Sequence, residues 1–213
     1  MGRLTPTVPV NRDTVLAWMR GFAEEMTEHR QELVRLDTAI GDGDHGTNMD
    51  RGMRKALERL DGAEQADAGA VLKTVAMALV SSVGGAAGPL YGTLFLQMGG
   101  ALAGREQVDL TGYVTAWRKG LEGVQMRGKA EPGDKTMVDA IVPAVEAMEQ
   151  ASDLDGALRA AVEGAERGML ATVPLVARRG RASYLGERSK DHQDPGATST
   201  YYLYTSAAKA LED

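Results

Sequence analysis

Apolar residues return at three- and four-residue intervals along almost the whole chain, and nowhere do they alternate with polar ones over the length of a strand. A chain patterned this way buries its apolar residues by laying helices against one another, so the sequence predicts an all-α fold. The first of eight expected helices starts near Asn11 or Asp13, either of which can cap it, and presents Val15, Trp18, Met19, Phe22, Met26, Leu33 and Leu36 before ending at Asp37. The others are predicted over about 49–60 (capped by Asn48), 67–82, 89–103, 110–126, 137–150, 154–177 with Pro174 as a kink, and 197–211. With 213 residues, 43% of them hydrophobic, the chain suits a single domain spanning 1–213. Alternating helix directions give an eight-helix antiparallel up-and-down bundle or barrel, in which the first, third, fifth and seventh interhelical loops share one rim.

Those four loops hold most of the chemistry. In Asp37-Thr38-Ala39-Ile40-Gly41-Asp42-Gly43-Asp44-His45-Gly46-Thr47-Asn48, three carboxylates fall within eight residues, and the glycines let the backbone fold tightly enough to aim them at one point. Carboxylates held that close repel one another, and a divalent hard cation relieves the repulsion. Asp37, Asp42 and Asp44 are therefore the candidate metal ligands; an acidic solvated turn would use the same residue types. The fragment Gly41-x-Gly43-x-x-Gly46 matches a dinucleotide fingerprint only in form, since no strand precedes it and its aspartates would face a pyrophosphate. An EF-hand starting at Asp42 would need Gly and Glu where Thr47 and Met53 stand.

The second loop, Gly84-Gly85-Ala86-Ala87-Gly88-Pro89, leaves backbone NH groups uncovered by side chains, which suits a phosphate; it equally suits a close helix crossing. It is not a Walker loop. The last loop places Arg178, Arg179, Arg181 and Arg188 within eleven residues, against an acidic average of net charge −6. Such a run either grips phosphate oxygens or forms a solvated basic loop. The acidic balance argues against nucleic acid as a partner. The absence of cysteine removes thiolate chemistry and disulfides. No window is apolar over the length a membrane span needs, and Met1 to Val10 lacks the apolar core of a signal peptide, so a cytoplasmic location is expected. Carboxylates with a hard cation, free amides and arginines are what a polyphosphate requires, so these residues point to a magnesium–nucleotide site on one rim.

Four ordered motifs carry a resemblance over nearly the whole chain: Leu36-Asp37 with Gly41-Asp42-Gly43-Asp44-His45-Gly46, the run Gly84 to Gly92, Gly133-Asp134-Lys135-Thr136-Met137, and Gly180 to Ser189. In these the sequence resembles the L subunits of dihydroxyacetone kinases. The resemblance implies an eight-helix antiparallel barrel holding ADP or ATP through two Mg²⁺ ions on Asp37, Asp42 and Asp44. His45, Gly46, Thr47 and Asn48 with Ala86 and Ala87 would approach the phosphates. Gly128, Met137, Arg181 and Asp194-Pro195-Gly196 would line the rest of the site. Ala87 stands where such subunits commonly carry serine, which removes a hydroxyl donor. The resemblance further implies a separate K subunit that carries the small-molecule substrate, dihydroxyacetone, and an M subunit of the phosphotransferase system that rephosphorylates bound ADP. Alternatives are an ATP-dependent subunit acting on another small ketose and a nucleotide-sensing interaction module.

Overall fold

The computed structural model describes residues 9–212, so most of the stretch judged too polar for a signal peptide lies outside it. Among the described residues the fold is all helical: α1 (Arg12–Glu28), α2 (Arg30–Ile40), α3 (His45–Asp61), α4 (Ala68–Ser82), α5 (Ala87–Leu102), α6 (Leu110–Gly128), α7 (Met137–Glu149), α8 (Leu154–Ala171), a 3-10 segment (Arg181–Ser189) and α9 (Pro195–Glu212). Val10 and Val108 form an isolated antiparallel bridge.

Caps fix most helix starts. Asn11 and Thr14 form a reciprocal capping box on α1, and Thr136 and Asp139 form one on α7. Asp67, Asp109 and Asp153 each accept a first-turn amide of α4, α6 and α8.

Four expectations need correction. The first helix is not continuous to Leu36; it breaks at His29, whose backbone (φ −90, ψ 8) leaves the helical path. Tertiary contacts at the break outweigh helix propensity. Thr27 Oγ1 donates to Ala23 O (3.0 Å) and Asp50 Oδ1 (2.8 Å), and the His29 ring stacks on Tyr202 at 4.0 Å between Glu25 (3.4 Å) and Glu32 (3.0 Å). Second, α3 starts at His45, and Asn48 is not its cap but accepts from Arg51 Nη2 (2.7 Å) within the helix. Third, α8 stops at Ala171, so Pro174 kinks nothing and lies in the turn beyond. The final helix also starts earlier than expected, at Pro195.

Neighbours in sequence pack as neighbours in space, α3 on α4 and so on through α8 on α9, and α9 covers α1, which in turn touches α3. A cluster of aromatic rings sits inside an otherwise aliphatic core. Trp18 meets Trp117 at 5.7 Å, Trp117 stacks on Tyr204 at 4.2 Å, and Trp18 Nε1 donates to Leu203 O (3.0 Å). The α2–α3, α4–α5, α6–α7 and α8–α9 connections, with the helix ends beside them, all contribute to the lining of one cavity.

Candidate functional site

The acidic loop is built around Asp37, at the end of α2. Its Oδ2 accepts the amides of Asp44 (2.8 Å) and His45 (3.1 Å), so a carboxylate from the preceding helix caps α3, where Asp44 makes no side-chain cap bond of its own. Glycine makes this path feasible. A Cβ at Gly41 would stand 2.1 Å from Asp37 Oδ1, and Gly43 takes φ +73 where a Cβ would meet Thr38 Oγ1 at 2.6 Å. One carboxylate oxygen from each of Asp37, Asp42 and Asp44 then lies within 4.8 Å of the others. Hard oxygen donors at this spacing fit Mg²⁺, which takes few protein ligands and fills its shell with water or phosphate. Arg181 Nη2 reaches Asp42 Oδ2 at 3.0 Å and tethers the arginine segment to this loop.

Beside the carboxylates opens a cavity of about 370 Å³, within the range of ligand sites. Of the residues singled out in the sequence, Asp37, His45, Ala86, Ala87, Gly128, Met137, Arg181, Asp194, Pro195 and Gly196 line it. Asp42, Asp44, Gly46, Thr47 and Asn48 do not. Gly46 has a packing role: a Cβ there would meet Arg30 O at 2.2 Å, so only glycine lets α3 lie this close to α2. Thr47 is exposed, and Asn48 is buried with Nδ2 near Gly84. Ala86 precedes α5 without a side-chain cap bond, which leaves the first-turn amides of α5 without a side-chain acceptor, as an anion site requires.

Sequence reasoning missed several residues at the site. Leu90, Val124 and Ala130 give the cavity an apolar wall beside Met137. His45 Nε2 lies 2.9 Å from Ser199 Oγ, which also contacts Tyr91 OH (2.7 Å), and Tyr91 reaches Thr200 Oγ1 (3.0 Å). The signal for this network was the row Thr198, Ser199 and Thr200, three consecutive polar residues buried at the start of a helix whose later inward positions are mostly apolar. Burial pushes the His45 imidazole below its ordinary pKa, against the pull of Asp37 and Asp44, and burial pushes the Tyr91 hydroxyl up to about 12.

Asp194 caps α9, accepting from Ala197 N (2.7 Å) at 8% exposure. Burial, with Asp139 and Asp37 adding repulsion, pushes its carboxyl up to about 7, although the Ala197 amide and Lys135 favour the charged form. An acid whose pKa rises on folding stabilises the fold least when ionised. Its contribution is therefore intact below the unfolded carboxylate range and is lost as pH rises toward 7. Asp194→Asn keeps an acceptor for the cap and removes this dependence. In urea unfolding without magnesium, the loss of stability between pH 5 and pH 8 is expected to be smaller in the variant by about 2 kcal/mol. Equal losses in both proteins would contradict a buried, proton-holding carboxyl.

The DAK2 domain pattern matches residues 39–209. The ADP-binding subunit DhaL of the PEP-dependent dihydroxyacetone kinase of Escherichia coli (strain K12) is 43% identical over 208 residues, covering 96% of this chain and 99% of that protein. The corresponding subunit of PEP-dependent dihydroxyacetone kinase 1 from Listeria innocua serovar 6a is 45% identical over 194 residues, 91% of this chain and 94% of that one. The crystal structure of the dihydroxyacetone kinase from C. freundii in complex with AMP-PNP and Mg²⁺ has the same fold, with a TM-score of 0.72 at 23% identity, over 98% of this chain and 36% of that one.

Proposed function

The chain belongs to the DAK2-domain family of dihydroxyacetone kinase ADP-binding subunits, and we propose that it holds a magnesium–nucleotide whose phosphoryl group passes to dihydroxyacetone carried by a separate K subunit. The observation that carries this reading is the convergence of Asp37, Asp42 and Asp44 beside a cavity that Asp37 also lines and that is walled by Leu90, Val124, Ala130 and Met137. The apolar wall is suited to a purine and the acidic end to a cation with phosphates.

In this reading Asp37, Asp42 and Asp44 hold Mg²⁺, two ions in all, which when bound neutralise phosphate charge. The uncapped start of α5 at Ala86 and Ala87, together with His45, faces the phosphates. Gly46, Thr47 and Asn48 support them from behind by setting the start of α3. Gly128, Met137 and Asp194-Pro195-Gly196 surround the base and sugar, and Arg181 closes the side next to Asp42. No nucleophile is required of this chain, because phosphoryl transfer rests on positioning and charge neutralisation. ADP stays bound and is rephosphorylated in place by an M-type subunit drawing on phosphoenolpyruvate, a reading supported by the PEP-dependence named for the similar bacterial subunits. No helix among the described residues is long and apolar enough to cross a membrane, in keeping with exchange between partners in the cytoplasm.

Reconstitution tests the proposal. The purified chain, mixed with a K subunit, dihydroxyacetone and a phosphoenolpyruvate relay, is expected to yield dihydroxyacetone phosphate, and to yield none when K is omitted. Mg-ADP binding without turnover on any K subunit would instead identify a nucleotide-sensing module.

A further inference from the structure

Lys135 is 1% exposed, and its backbone sits at φ +64. Burial strips water from its ammonium and lowers its pKa, while positive φ crowds its Cβ, so the position disfavours lysine twice unless the side chain does something there. Its Nζ donates to the carbonyls of Thr172 (2.7 Å), Leu175 (3.1 Å), Val173 (3.4 Å) and His192. These lie at the two ends of the excursion between α8 and α9, which carries the 3-10 segment. The ends are also joined by Asp191 N to Val173 O (2.8 Å) and Asp194 N to Thr172 Oγ1 (3.0 Å). Arg178 N adds a bond to Asp134 O (3.0 Å).

The middle of the excursion puts Arg181 and Ala182 on the cavity wall, yet its own apolar anchorage is slight: Ala177 and Ala182 against Ile40, with Leu185 alongside. So little buried area cannot hold a twenty-three-residue excursion with four arginines. Arg181 adds an ion pair to Asp42 (3.0 Å) and Arg179 one to Asp134 (3.5 Å), but both guanidinium groups are largely exposed and such pairs hold weakly, so the neck carries most of the load and the charge-assisted bonds of Lys135 are the concentrated attachment there.

We propose that Lys135 is the positioning residue for this wall. Its ammonium ties both ends of the 172–194 excursion to the 134–136 turn, so the wall opens, and nucleotide leaves, only when those bonds are given up. The proposal deepens the nucleotide reading and rests on it: Lys135 sets how long nucleotide is retained, not how its phosphates are gripped.

Lys135→Met keeps the length of the stem and removes the charge. It is expected to release a fluorescent ADP analogue, in magnesium, at least tenfold faster than the parent, with the association rate unchanged. Trypsin is expected to cut it at Arg178, Arg179, Arg181 and Arg188 at least tenfold faster in nucleotide-free protein. Lys135→Arg, which can donate to the same carbonyls, should lie between. Release within twofold of the parent, or release and cleavage that rise only in step with global unfolding, would overturn the proposal. Should Lys135→Met fail to fold, hydrogen exchange on the parent decides. The Arg178, Asp191 and Asp194 amides are expected to exchange together, faster than those of α1, and to be slowed by Mg-ADP. Exchange of these amides only through global unfolding would overturn it equally. A parent that binds no Mg-ADP refutes the nucleotide reading itself, while the cleavage arm still shows whether Lys135 closes the loop.

Discussion

Asp42→Asn and Asp44→Asn are each expected to abolish the thermal stabilisation that Mg-ADP gives the parent. A ligand present at a hundred times its Kd stabilises a fold by about 2.7 kcal/mol, and all of that depends on affinity. Each substitution removes an anionic oxygen from a set of three that lie within 4.8 Å. A hard cation binds a neutral amide far less well than a carboxylate. Both aspartates are exposed, so melting without ligand should hardly change. Asp37→Asn is a poorer test, because Asp37 also caps α3 and its loss disturbs the helix start directly. A parent-like shift in both variants would remove the acidic loop from nucleotide binding.

The second large effect is on the fold. Gly46→Ala would bring a Cβ to 2.2 Å from Arg30 O and 3.0 Å from Leu33 Cβ, and the backbone atom cannot rotate away. Helices α2 and α3 must then separate. Overpacking of this kind costs about 1–3 kcal/mol, and a clash with backbone belongs at the upper end. Thr47→Ala, one residue on and exposed, should be near neutral. Denaturant unfolding of the two distinguishes the packing role of Gly46 from the phosphate contact its sequence resemblance implies. A Gly46→Ala protein as stable as the parent, but weak in nucleotide binding, would restore the phosphate contact.

The helical fold was legible because the buried faces are long and regular: Val15, Trp18, Met19, Phe22 and Met26 on α1 are all buried as their spacing predicts. The break at His29 was not legible. It depends on Asp50 and Tyr202, which are distant in sequence and carry no local signal there. The carboxylate cluster could be read from Asp and Gly spacing, since its geometry is set within a single loop. The rest of the cavity came from three further loops, and periodicity could say only that they share an end with the first. Asn48 looked like a cap because its residue type suits one, whereas Asp37, reaching across from another helix, had already filled that role. The role of Lys135 was not legible within its Gly133–Met137 motif, because a side chain that binds backbone carbonyls leaves no pattern in the residues it holds.

The covering of α1 by α9 has a kinetic consequence. Most helix contacts join elements adjacent in sequence and can form quickly, whereas the bond from Trp18 to Leu203 spans 185 residues. That long closure also brings in Asp194, Pro195, Gly196 and Ser199. During synthesis, at about 5–20 residues per second, earlier helices have seconds to pair before the last one emerges. The nascent protein therefore becomes competent to capture nucleotide only once α9 has docked, and a ribosome-bound chain halted before α9 would be largely helical yet blind to its ligand.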